Sequence, residues 1–194
     1  MKKYIAEALG AGTLTLVVGL SLAGTFPVST PVLAALTLGL FVYSLGHVSG
    51  THINPAVTVG VWSIGKISNQ DALSYVAAQF LGALVAMVLL REFDMVTGLE
   101  IDGSFVTGVA EMLGAFFFAF GIASVIYGKT PGSLSGLMVG GSLLLGIAIS
   151  ATLGANGLLN PAVALGVSSF GVMYILGPII GAVLGMQAYK YLQN

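Results

Sequence analysis

Long apolar stretches separated by short polar turns run along the whole chain. Six of them occupy about residues 4–24, 31–47, 71–91, 105–127, 133–153 and 171–191. Each holds close to the ~20 residues that an α-helix needs to cross a hydrocarbon core of roughly 30 Å. The breaks carry turn chemistry: Thr25-Phe26-Pro27, then Gly65-Lys66-Ile67-Ser68-Asn69-Gln70, then Gly128-Lys129-Thr130-Pro131-Gly132. Asp71 stands where an N-cap of the third segment is expected. The pattern predicts an all-α membrane protein with six spanning helices.

Two further apolar runs are too short to span. One follows Asn54 and ends near Ile64; the other follows Asn160. Each begins Asn-Pro-Ala, as Asn54-Pro55-Ala56 and Asn160-Pro161-Ala162. Asn is a favoured N-cap, and Pro suits the first helical turn because its missing N–H has no intrahelical partner to lose. Ten residues of helix cover about 15 Å, half of a hydrocarbon core. Both runs therefore read as half-helices starting inside the membrane. The segments leading into them, Gly50-Thr51-His52-Ile53 and Asn156-Gly157-Leu158-Leu159, are non-helical. Unpaired backbone at that depth is tolerated where it lines a wet cavity or is buried in protein. Their carbonyls are thus expected to face a pore, with the amides of Asn54 and Asn160 as donors at its centre. Two positive helix ends, each worth roughly half an elementary charge, oppose a cation that has shed its water.

The chain also repeats itself. Ala6-Glu7-Ala8-Leu9-Gly10 is echoed by Ala110-Glu111-Met112-Leu113-Gly114, and Glu7 precedes Asn54 by 47 positions where Glu111 precedes Asn160 by 49. Repeat 1 covers about 1–92 and repeat 2 about 105–194 of one channel domain. With three spans per half, the second half must sit inverted, an arrangement that places a path at the interface of the repeats near the midplane.

Composition agrees: 57% of residues are hydrophobic, 7% are charged, and the mean hydropathy is +1.02. Soluble domains carry about 25% charged residues. A net charge of −1 gives no electrostatic reason to bind nucleic acid, and the absence of Cys removes disulfide and thiolate chemistry. The N-terminal stretch is read as a first span and not a leader, because Glu7 interrupts it and an equivalent segment recurs mid-chain. Lys2, Lys3, Lys66, Lys129 and Lys190 fall on one side of the layout, and Arg91 on the other beside the acids Glu92, Asp94, Glu100 and Asp102. The positive-inside rule then expects both termini in the cytoplasm of a cell-membrane protein.

Four ionisable residues lie in apolar surroundings. Glu7 and Glu111 fit either a proton relay or a brace that accepts hydrogen bonds from the broken loops, and their symmetric placement favours the brace. His47 and His52 admit a pH gate or, again, loop bracing. Two His without Cys give a metal site little to build from, and no cofactor is expected. Phe116-Phe117-Phe118 reads as lipid or core packing. No nucleophile–base–orienter set or phosphate-cradling loop is visible, so an enzyme is not expected. A passive pore for small neutral solutes is the leading reading. A secondary transporter and a closed structural protein remain, the latter because Leu158 and Leu159 are bulky.

Gly46-His47-Val48-Ser49-Gly50-Thr51-His52-Ile53-Asn54-Pro55-Ala56, the second Asn-Pro-Ala, the paired Glu7 and Glu111, and Gly177-Pro178 with Gly181-Ala182 resemble the aquaporin, or major intrinsic protein, family. The resemblance covers essentially the whole chain. It implies an hourglass of six helices and two half-helices, and a homotetramer with one pore per protomer. It also locates an outer selectivity filter at Ala34, Ala148, Gly157 and Val163, with Ala35 and Ile149 as one-residue neighbours of the first two. Family members usually carry Arg where this chain has Val163. The expected filter is therefore wide, apolar and uncharged, open to water, glycerol, urea, ammonia or peroxide.

Overall fold

The computed structural model describes residues 1–24, 26–95 and 99–193. Thr25 of the first expected turn, positions 96–98 of the acidic loop and Asn194 lie outside the described residues. The described chain is all helical: α1 (Lys2–Ala23), α2 (Thr30–Ser49), α3 (Pro55–Ser63), α4 (Asn69–Glu92), α5 (Phe105–Ile126), α6 (Ser135–Thr152, entered through a 3₁₀ turn at Gly132–Leu134), α7 (Pro161–Gly166) and α8 (Met173–Gln193). Six of these are long and apolar enough to cross a membrane, and α3 and α7 are the two short ones.

Helix ends follow local chemistry. Pro31 sits in the first turn of α2, and Gly50 ends that helix in the left-handed region at φ 85°. Ser68, not Asp71, caps α4: its hydroxyl accepts from the Asp71 N–H. Asp71 is thereby freed to hold the start of α1, accepting from Lys3 Nζ and Tyr4 Oη at 2.8 Å each. The second half-helix is also shorter than expected, at six residues.

Glycine contacts explain the packing. A Cβ on Gly12 would stand 2.9 Å from the Gly82 carbonyl, so α1 and α4 touch backbone to backbone. In the second repeat, Gly181 and Gly185 of α8 leave no room for a side chain against the Met112 and Phe116 carbonyls of α5. Across the repeats, Gly39 of α2 meets the Gly136 carbonyl of α6. The half-helices change partners: α3 packs on α8 through Gly60, and α7 packs on α4 through Gly166. Elements of the two repeats thus pack on one another, α2 on α6, α3 on α8 and α7 on α4. With no water in a bilayer to drive helices together, such close backbone contact is a main source of association. Six spans put both chain termini on one face, here termed the terminal face; the other is the far face.

Candidate functional site

The two non-helical segments meet at the centre of the bundle, and a buried carboxylate holds each one. Glu7 Oε1 accepts from the His52 N–H (2.9 Å) and the Ser49 hydroxyl (2.6 Å), and Oε2 from the Ile53 N–H (2.6 Å) and Gln79 Nε2 (2.7 Å). Glu111 Oε1 accepts from the Leu158 N–H (3.0 Å) and the Ser150 hydroxyl (3.1 Å), and Oε2 from the Leu159 N–H (2.8 Å). Both glutamates are fully enclosed. Donor-rich surroundings of this kind match an acceptor-only side chain, and they satisfy backbone N–H groups that would be costly to bury unpaired.

The residue before each asparagine is bent to fit. Ile53 (φ 40°) and Leu159 (φ 51°) adopt the left-handed conformation, which costs a non-glycine residue about 1–2 kcal/mol. Each then drops its side chain into a glycine notch: Ile53 onto Gly10, and Leu159 between Gly114 and Gly146. Leu159 is therefore turned into the helix packing and does not obstruct the centre.

That bend aims the carbonyls of Ile53 and Leu159 across the midplane. Asn54 Nδ2 donates to the Leu159 carbonyl at 2.9 Å, and Asn160 Nδ2 donates to the Ile53 carbonyl at 3.1 Å. Each asparagine Oδ1 meanwhile caps its own half-helix, accepting from Ala56 N–H (2.8 Å) or Ala162 N–H (3.0 Å). Every amide NH₂ has two hydrogens. One is spent on the cross-link, and the second is left for a passing acceptor. The Ile53 and Leu159 carbonyls, expected to face a pore, thus each accept from an asparagine across the midplane, and Ile53 lines the far cavity.

A cavity opens on each side of this cross-link. The far cavity, about 260 Å³, reaches from Thr30 and Pro31 down to Asn54 and Asn160. The terminal-face cavity, about 490 Å³, reaches from Lys66 and Asp71 up to Val57. Leu38, His52 and Phe118 line both and so mark their boundary. The apolar walls repeat as the chain does: Leu14, Val18 and Leu22 of α1 line the far cavity, and Phe118, Ile122 and Ile126 of α5 the other.

A family model described as major intrinsic protein matches residues 1–189. The chain belongs to the major intrinsic protein family. It is 31% identical to aquaporin AqpM of Methanothermobacter thermautotrophicus over 79% of this chain and 72% of that one. It is 32% identical to nodulin-26 of Glycine max over 98% and 77%, and 30% identical to aquaporin Z of Bradyrhizobium diazoefficiens over 100% and 94%. The fold matches that of the aquaglyceroporin from Plasmodium falciparum, with a TM-score of 0.68, 22% identity, and 98% and 94% of the two chains covered. This major intrinsic protein is an integral membrane channel for water or small solutes, not an enzyme.

Within this major intrinsic protein, Ala34, Gly157 and Val163 line the far cavity together, and Asn156 and Leu158 join them. Ala148 does not: it is exposed on the outside of α6, and the buried Ile147 lines the cavity instead. Counting from a motif fixes a helical position only to within a residue, and one residue turns a side chain by about 100° around the axis. Ile147 packs on Gly157, where a Cβ would lie 3.0 Å from its Cγ2. Gly50 and Thr51 line the terminal-face cavity, and His52 lines both. His47 is corrected too. It lies in the last turn of α2 and makes no side-chain hydrogen bond among the described residues. The bracing histidine is His52, whose Nδ1 lies 3.2 Å from Thr58 Oγ1 and whose ring meets Tyr75 edge-on. Among the described residues, no group of three or more His, Cys, Asp or Glu is placed to hold a metal ion.

The apolar wall of the two cavities and the neck between them are not evident from the sequence motifs. Phe118 packs in the buried core, as expected for the Phe116-Phe117-Phe118 run, and it also lines both cavities. The signal is the glutamate echo itself: aligning Glu7 with Glu111 sets Leu14 opposite Phe118 on equivalent helices.

Proposed function

We propose that this channel is a passive pore for water and small neutral hydrogen-bonding solutes of glycerol, urea, ammonia or peroxide type, and that it excludes ions and protons. The observation that carries the reading is the reciprocal cross-link of Asn54 and Asn160, which leaves one amide hydrogen of each beside the central path. A solute oxygen that accepts from these donors turns its own hydrogens away from the centre, which interrupts a proton wire. The two half-helix N-termini add a positive field against cations. The relatives named aquaporin and the aquaglyceroporin neighbour support the same solute class.

The outer filter in this reading is Ala34, Ile147, Gly157 and Val163, apolar and without charge. It is narrower than a ring holding Ala148, because Ile147 fills part of it, and it still lacks the arginine that family resemblance leads one to expect after the second Asn-Pro-Ala. The free carbonyls of the re-entrant segments supply acceptors along the wall. Both termini lie in the cytoplasm of a cell membrane, on the count of basic residues, and four chains assemble, each with its own pore.

Stopped-flow light scattering on proteoliposomes tests the reading with water, glycerol and urea. The natural chain is expected to pass all three, and Val163→Arg is expected to lose glycerol and urea before water. Flux no greater than that of empty liposomes would leave a closed structural protein as the better account.

A further inference from the structure

We propose that Leu99 is a specificity-determining residue at the far mouth of the pore, held there by the Ser169 hydroxyl. The inference rests on the pore reading above and adds a residue that belongs to no helix or re-entrant segment.

Leu99 lies in the connection between α4 and α5, far in sequence from the asparagines. Its side chain nevertheless packs on the buried core and lines the far cavity with Asn156 and Gly157. Three consecutive residues of the connection are seated. The Leu99 N–H donates to Ser169 Oγ at 2.8 Å, and the same hydroxyl points back toward the Leu99 carbonyl at 3.4 Å. The Glu100 carbonyl accepts from Asn156 Nδ2 at 2.9 Å, and that amide also donates to Tyr174 Oη at 2.9 Å. Ile101 lies over Gly171, where a Cβ would stand 2.8 Å from its Cγ2. Ser169 is completely enclosed; its hydroxyl accepts from the Leu99 N–H and has the Val167 carbonyl (3.3 Å) and the Leu99 carbonyl (3.4 Å) within donating reach.

Leu22, Ile147 and Leu158 give bulk to other parts of this cavity, and Leu99 adds it beside Gly157 and Val163. Gly157 has no side chain and Val163 is short, so neither reaches across the opening. An isobutyl group from the connection fills that side. It adds bulk without a hydrogen-bonding group, so it selects by cross-section: the broader the solute, the more it is slowed.

The test measures water, glycerol and erythritol permeability in proteoliposomes for the natural chain and for Leu99→Ala, Ser169→Ala and Ser169→Thr. Leu99→Ala is expected to raise the erythritol-to-water ratio about threefold or more. Ser169→Ala moves it the same way by less, and Ser169→Thr, which keeps the hydroxyl, leaves it unchanged. A second measurement uses the absence of cysteine from the natural chain. In Leu99→Cys, a membrane-impermeant methanethiosulfonate reagent forms a mixed disulfide with the thiolate and releases its sulfinate. Glycerol flux is expected to fall on labelling and to recover with dithiothreitol. If the natural chain conducts while Leu99→Ala keeps the natural ratio and labelled Leu99→Cys keeps its flux, this inference alone is overturned. If the natural chain itself stays at the lipid background, the pore reading falls and takes this inference with it.

Discussion

Replacing Glu111 with Gln removes a charge, leaves the side-chain shape almost unchanged, and tests whether carboxylates hold the re-entrant backbone. Glu111 accepts from the Leu158 N–H, the Leu159 N–H and the Ser150 hydroxyl through two oxygens, at 2.8–3.1 Å. Gln has one acceptor oxygen, so its NH₂ must face at least one of the same donors. A hydrogen bond to a charged group is worth about 1.5–3 kcal/mol, and a buried donor left unpaired costs about 1–3 kcal/mol. The bent residue Leu159 then stores left-handed strain with less to hold it. We expect a loss of about 3 kcal/mol, from the charged hydrogen bond and the unpaired donor together. At about 2–4 °C per kcal/mol for a chain of this size, the midpoint should fall by roughly 6–12 °C. The assay is thermal unfolding of detergent-solubilised protein, with Ser150→Ala as the milder comparison because it removes one donor and creates no clash. Glu111→Gln unfolding at the natural temperature would refute the reasoning, since an unchanged midpoint means the carboxylate is not what satisfies this backbone.

Other consequences follow from the same geometry. Gly114→Ala places a methyl 2.8 Å from Leu159 Cδ2 and against the Gly146 carbonyl, so it should cost about 1–3 kcal/mol by overpacking. Gly141→Ala, with nothing within 4 Å, should leave the melting temperature within experimental error. Asp102 accepts from the Thr107 hydroxyl (2.6 Å) and from the Ser104 hydroxyl and N–H, and these bonds hold its carboxyl below the usual 3.8. A lowered folded-state value makes the ionised form stabilising above 3.8, and the benefit is lost as pH falls through the lower folded value. The difference in melting temperature between the natural chain and Asp102→Asn should therefore be largest well above pH 3.8 and shrink in stronger acid; a difference that grows with acidity would contradict the assignment.

The hydrophobic pattern carries most of the architecture because lipid imposes one length and one composition on every span. Half-helices are legible for a related reason: Asn-Pro at the head of an apolar run too short to cross suits a helix that begins inside the membrane. The glutamate braces are legible from symmetry alone, since a carboxylate at nearly the same distance before each motif implies the same duty. Three features need tertiary context. Ile147 and Ala148 differ by one position on an apolar helix, and only the packing of α6 on Gly157 decides which faces the lumen. His47 lies in a motif-like stretch without a side-chain partner among the described residues, while His52 turns inward to Thr58. The seating of Leu99 on Ser169 joins positions about seventy residues apart, and no local signal announces it.

If the two asparagine-capped half-helices create a path for neutral solutes, as proposed, that path does not carry protons. Its most direct test follows water and glycerol efflux and proton leak in the same proteoliposomes, using light scattering and an entrapped pH-sensitive dye. Solute flux is expected well above that of empty liposomes, with proton flux at the lipid background. Proton flux rising in step with water flux, or no solute flux at all, would contradict it.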